Sequence, residues 1–265
     1  MIGDGLDGSG AEALRESPRT VGGAHAAGEQ GASPAPVHHA ARDAPAARTA
    51  LLPLILPTAV AAEECFDDPP GTVLFPEEEA CLVRAVDKRR REFTTVRRCA
   101  RLALGRLGVA PAPLVPGERG APSWPAQVVG SMTHCVGYRA AAVAPASRMW
   151  TIGIDAEPAE ELPEGVLDSI SSADERAHLA ALARLRPEVP WERLLFSAKE
   201  SVYKAWFPLT HRWLGFEEAE VEFDAAAGAF RARILAEDRP VDVFAGRWTI
   251  ASGIAATAIA VPRTH

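Results

Sequence analysis

Four sets of side chains have types and spacings that could do chemistry. In Gly153-Ile154-Asp155-Ala156-Glu157 two carboxylates stand two positions apart. On a strand such positions share a face, so Asp155 and Glu157 project together while Ile154 and Ala156 turn to a core. Paired carboxylates repel unless a cation or proton lies between them, and hard oxygen donors suit magnesium. Taken alone, the pair fits a solvated strand end better than a metal. In Phe196-Ser197-Ala198-Lys199-Glu200-Ser201-Val202-Tyr203-Lys204, Glu200 and Lys204 lie one helical turn apart, as do Lys199 and Tyr203. Alone, Glu200 and Lys204 read as a surface ion pair worth a few tenths of a kcal/mol.

The third set is Gly130-Ser131-Met132-Thr133-His134-Cys135-Val136-Gly137-Tyr138, where a histidine beside hydroxyls leaves a strand into a glycine turn. Such a histidine could contact phosphate or act as a base, although a lone histidine is more often structural. No G-x-S-x-G elbow accompanies Ser131. The fourth set is Arg89, Arg90, Arg91, Arg97 and Arg119. Guanidinium groups suit phosphate, but for most of the five a solvated basic face is the simpler reading.

The elements that must position these residues follow from periodicity. Pro76 with three acids behind it opens a helical pattern that runs to Gly108, with a boundary or break expected near Lys88–Arg91. A Pro/Gly-rich loop follows, then strands over 128–133, 138–144 and 150–156. Helices are expected over 173–185 and 191–206, and four strands close the chain. The order is helix, strands, helix, strands. It predicts an α+β fold of two similar halves joined near residue 150, 51–150 and 151–265.

Composition narrows the class. The 265 residues are 48% hydrophobic and 24% charged, enough for a substantial core, and the net charge of −7 disfavours a general nucleic-acid or anionic-membrane binder. Four dispersed cysteines form no CxxC pair, so no disulfide framework or zinc site is expected and a reducing cytoplasm fits. Residues 1–50 contain 28 Ala, Gly, Pro or Ser and six large aliphatic or Met residues, too few to offset ordering entropy. They read as a disordered extension. The run from Ala50 to Ala62 resembles a signal-peptide core, but Pro53, Pro57 and the long preceding segment argue against it.

The segments KRRREFTTVR, RGAPSWP, GSMTHC, IGIDAE and FSAKESVYKAW, in this order, resemble the surfactin-synthetase-activating type of 4′-phosphopantetheinyl transferase, especially its enterobactin-type branch. The likeness covers roughly residues 51–262. It implies a monomer of two pseudo-twofold-related α/β halves, with coenzyme A in the cleft between them. The reaction implied moves 4′-phosphopantetheine to a serine of apo-acyl or peptidyl carrier proteins. By the same resemblance Asp155, Glu157 and Glu200 would hold Mg2+, and Lys204 would contact the diphosphate. Thr133 and His134 would meet the coenzyme's phosphates and sugar, and Arg119-Gly120-Ala121-Pro122 its adenine end. Arg89 and Arg97 would serve the nucleotide phosphates, Leu214 the pantetheine arm, and Glu175 matches an acid used near the metal in some members. Glu200 is the candidate general base. Two other readings compete: a metal-dependent phosphodiester hydrolase using the same acids, and a non-catalytic coenzyme A or carrier-binding module.

Overall fold

The structure, a computed structural model, describes residues 48–263. The expected extension therefore lies, up to residue 47, outside the described residues. Its last residues hold to the body: Arg48 donates to Phe66 O and the Thr49 amide to Ser252 Oγ.

In chain order the elements are α1 (Leu52–Ile55), β1 (Ala61–Cys65), α2 (Pro76–Ala80), α3 (Asp87–Arg106), β2 (Val128–Cys135), β3 (Tyr138–Pro145) and β4 (Met149–Pro158). Then come α4 (Val166–Ile170), α5 (Ala173–Leu185), α6 (Trp191–Thr210), β5 (Ala219–Asp224), β6 (Ala229–Ile234), β7 (Val243–Ala251) and β8 (Ile254–Pro262). The fold is α+β, as expected. Two antiparallel sheets form, β1-β3-β2 and β4-β8-β7-β6-β5.

Each sheet is covered by one 20-residue helix. Cys99, Ala100, Ala103 and Leu104 of α3 pack on Ala141 and Val143 of β3. Leu194, Leu195, Ala198, Val202, Ala205 and Trp206 of α6 join Phe230, Ala232, Phe244 and Ile259 in a second core. Small residues permit the close approach. A Cβ on Gly153 of β4 would lie 2.0 Å from Ser201 O and 2.8 Å from Ala205 N, so only glycine fits beneath α6.

The sheets meet edge to edge at β2 and β4. Instead of a backbone ladder, two hydroxyls bridge them: Ser131 Oγ accepts from the Ile154 amide and Thr133 Oγ1 from the Ala156 amide, both at 3.1 Å. The opposite faces, with Tyr138, Ala140, Ala142, Ile152, Ile154, Ala156 and Ala256, share a third core with Leu51, Leu52 and Ile55.

One expectation changes, and two segments find their places. The helix from Pro76 to Gly108 is two helices, because Cys81–Val86 turns between α2 and α3. The run with the look of a signal core is part of the body. Leu51 and Leu52 are fully buried, and their amides donate to Glu64 of β1 at 2.8 and 2.6 Å. Strand β1 had no apolar alternation to announce it. The strands expected from 128 onward and the helices over 173–185 and 191–206 fall within a few residues of their places.

Candidate active site

Strand β4 is buried on both faces, so Asp155 does not end on a solvated strand tip; it is 4% exposed. The face it shares with Gly153 and Glu157 lies under α6, whose residues 193, 200 and 204 fall along one side. Lys204 reaches across to donate to Asp155 Oδ1 at 2.7 Å. Thr133 Oγ1 donates to the same oxygen at 3.2 Å. Oδ2 of Asp155 is buried with no hydrogen-bond partner. The surface pair that Glu200 and Lys204 suggest when taken alone is thus not what engages the lysine: its hydrogen bond runs from α6 to β4.

Glu157 is held by Arg193, whose Nη1 lies 3.4 Å from Oε2. The same guanidinium donates to Glu160 O and Glu161 O, fixing the chain as it leaves β4. Arg193 belongs to none of the four sets that the sequence marks out. Its signal was its place seven residues before Glu200, on the same helix face.

Burial dominates the electrostatics. It pushes the Glu157 carboxyl up to about 8, with Asp155 adding repulsion and Arg193 opposing. It pushes Glu200 up to about 7, with Lys204 opposing and Asp155 adding to the rise. For Lys204 burial acts downward, but Asp155, Glu200 and Glu157 outweigh it and raise the ammonium above its ordinary value. Three acids therefore share one lysine and one arginine, with positive charge in short supply.

Among the described residues no three His, Cys, Asp or Glu side chains are drawn close enough to form a closed metal cage. The donors nevertheless suit a hard divalent cation. They are all carboxylates, two are pushed toward protonation, and one buried oxygen of Asp155 lacks any partner.

His134, on β2, accepts from Arg89 Nη1 at Nε2, 2.9 Å away. Arg97 is buried: its Nε donates to Leu114 O, its guanidinium lies 3.2 Å from the Phe93 ring centroid, and burial lowers it to about 10. The loop Glu118–Pro122 runs exposed to half-buried, with Arg119 and Gly120 both at positive φ. Arg119 stands 5.7 Å over the Trp213 ring, which itself packs 5.1 Å from Tyr203. Leu214 is buried and lines a narrow cavity of about 30 Å³ with Glu200, Tyr203, Trp213 and Phe216.

Glu175 is placed elsewhere. Its Oε2 accepts from the Ser172 amide and from Lys199, and Oε1 from the Val221 amide, so it caps α5 and pins β5. Lys199 and Lys204 are thereby committed to different partners.

Two family profiles cover most of the described chain: "4′-phosphopantetheinyl transferase N-terminal domain" over residues 77–144 and "4′-phosphopantetheinyl transferase superfamily" over 151–260. The 4′-phosphopantetheinyl transferase Svp of Streptomyces mobaraensis is 55% identical over 219 residues, which span 80% of this chain and 89% of Svp. PptT of Mycobacterium tuberculosis is 47% identical over 223 residues, spanning 79% and 97%. Npt of Nocardia iowensis is 48% identical over 223 residues, spanning 79% and 99%.

Proposed function

The chain belongs to the 4′-phosphopantetheinyl transferase superfamily, and from that premise we propose how its own residues carry the transfer. Its activity is movement of 4′-phosphopantetheine from coenzyme A to carrier proteins. A serine oxygen of the carrier attacks the β-phosphorus of the coenzyme's diphosphate, and 3′,5′-ADP leaves. Little covalent chemistry falls to the protein; positioning and charge carry the rate.

Asp155, Glu157 and Glu200 are the residues that would hold Mg2+, which when bound neutralises charge on the diphosphate oxygens. Lys204, anchored on Asp155, presents its ammonium to the coenzyme's diphosphate and to the 5′-phosphate of the departing 3′,5′-ADP. Glu200, at the metal and near the arriving serine, is the group that takes the serine proton, directly or through a water. Thr133 keeps Asp155 in place while closing the seam between the sheets. His134, Arg89 and Arg97 form the basic side for the coenzyme's phosphates. Arg119-Gly120-Ala121-Pro122 borders its adenine end, and Leu214 its pantetheine arm.

The two sheets, each under one long helix, support reading 51–150 and 151–265 as pseudo-twofold halves of a monomer. Motif order supports the surfactin-synthetase-activating type and its enterobactin-type branch. No described helix is long and apolar enough to cross a membrane; with the dispersed thiols this supports a cytoplasmic enzyme.

One observation carries the site assignment: Asp155 offers Oδ1 to Lys204 and keeps Oδ2 buried without a partner among the other acids. The test is intact-mass spectrometry of a purified apo-carrier incubated with the protein and coenzyme A. One phosphopantetheine should appear on the carrier serine with magnesium and none with a chelator. Equal transfer under chelation would remove the metal from the account.

A further inference from the structure

Behind His134 lies a carboxylate that the transfer chemistry above does not use. Glu92 of α3 is 7% exposed. Its Oε2 lies 3.7 Å from His134 Nδ1, and its Oε1 lies 3.8 Å from Arg139 Nη2. Arg139 is itself fixed, donating to Cys135 O at 2.5 Å, to Tyr138 O at 3.0 Å and to Asp68 Oδ2 at 3.1 Å. Asp68 is held in turn by Thr95, one turn along α3 from Glu92. Glu92 thus sits in a rigid frame with one face turned to the histidine.

The other side of the ring defines its protonation pattern. Arginine has only donors, so the 2.9 Å contact from Arg89 Nη1 makes His134 Nε2 an acceptor. The ring proton of a neutral imidazole is then on Nδ1, the nitrogen facing Glu92. A carboxylate at that nitrogen selects the tautomer, fixes the ring plane and stabilises a second proton on Nε2. Such distances are often long without ligand and tighten in the complex.

We infer that Glu92 is a positioning residue for coenzyme A binding: from α3 it orients His134 so that Nε2 is presented, with Arg89, to an incoming phosphate oxygen. When phosphate takes Arg89, Nε2 must donate rather than accept, and the carboxylate at Nδ1 favours that doubly protonated ring. The inference rests on the reading of His134 as a phosphate contact.

Glu92→Gln keeps shape and removes charge. The KM for coenzyme A should rise about tenfold, the scale for losing a carboxylate that orients a functional histidine. The kcat at saturating coenzyme A should fall far less. Glu92→Asp should recover most of the loss. Long-range 1H–15N spectra of His134 should show a proton on Nδ1 in the free wild type and on both nitrogens with 3′,5′-ADP, and Glu92→Gln should lose this response. In a His134→Ala background, Glu92→Gln should add no further rise in KM. An equal tenfold rise there would overturn the inference, because Glu92 would then act only through Arg139. If Glu92→Gln does not fold, the wild-type spectrum decides: a free ring protonated on Nε2 alone overturns it. An unchanged KM in His134→Ala would instead sink the underlying reading of His134.

Discussion

Lys204 donates to Asp155 Oδ1 at 2.7 Å across the gap between helix α6 and strand β4, leaving its i−4 neighbour Glu200 to face the same cleft separately. Lys204 thus commits its hydrogen bond to the strand, and a lysine and a glutamate one turn apart should have distinct kinetic roles.

Glu200→Gln should abolish transfer and erase the acidic limb of the rate–pH profile, because an amide cannot accept the serine proton. Lys204→Ala should raise the KM for coenzyme A and also depress kcat, since charge grows on the 5′-phosphate of the leaving 3′,5′-ADP. Steady-state kinetics across pH on both variants checks this. Matching mild phenotypes would return the pair to a surface role.

Asp155→Ala should lower turnover at least ~100-fold, the scale of one electrostatic stabiliser. Removing this carboxylate takes away the partner of both Lys204 and Thr133. The seam bonds that the Ile154 and Ala156 amides donate to Ser131 and Thr133 remain, so the fold should persist. Near-normal transfer by a folded variant would exclude Asp155 from the mechanism.

The raised carboxyls predict a pH dependence of stability. The folded protein keeps protons on Glu157 and Glu200 that the unfolded chain releases near its ordinary carboxylate value. Their contribution is fully present below about pH 4.3 and is lost as pH rises through about 7 and 8. Without metal, Tm should therefore fall between about pH 5.5 and pH 8.5, and fall less in Glu157→Gln. Added magnesium should raise Tm more at the alkaline end, where it replaces no proton. Parallel melting curves for wild type and Glu157→Gln would contradict the shift.

Gly153→Ala tests the platform. Its Cβ would press on the backbone of α6 at Ser201 and Ala205, which cannot give as a flexible side chain can. The expected cost is about 1–3 kcal/mol, with activity reduced in the folded fraction because α6 carries Glu200 and Lys204. Denaturant unfolding with kinetics measures both; unchanged stability would show that α6 is free to shift.

Legibility in the sequence followed local signal. Periodicity located α5, α6 and most strands, and the spacing of Asp155 and Glu157 put them on one face, as found. What it lacked was tertiary information. Strand β1, Ala-Ala-Glu-Glu-Cys, is polar because Glu64 turns to cap Leu51 and Leu52. Arg193 and Glu92 looked like ordinary helix charges, and only packing of α6 on β4 and of α3 on β2 brings them to Glu157 and His134. The hydroxyls of Ser131 and Thr133 likewise hid their role in replacing a strand ladder.

The central claim, that Asp155, Glu157 and Glu200 jointly hold one divalent ion while Lys204 serves the diphosphate, is tested most directly by titrating Mn2+ into the protein with coenzyme A and following bound ion by electron paramagnetic resonance. Wild type should bind a single ion. Asp155→Asn, Glu157→Gln and Glu200→Gln should each weaken it at least tenfold, on the ~1.4 kcal/mol scale of one lost charged ligand, whereas Lys204→Ala should keep the ion. Undiminished binding in the three acid variants, or loss of the ion in Lys204→Ala, would contradict the account.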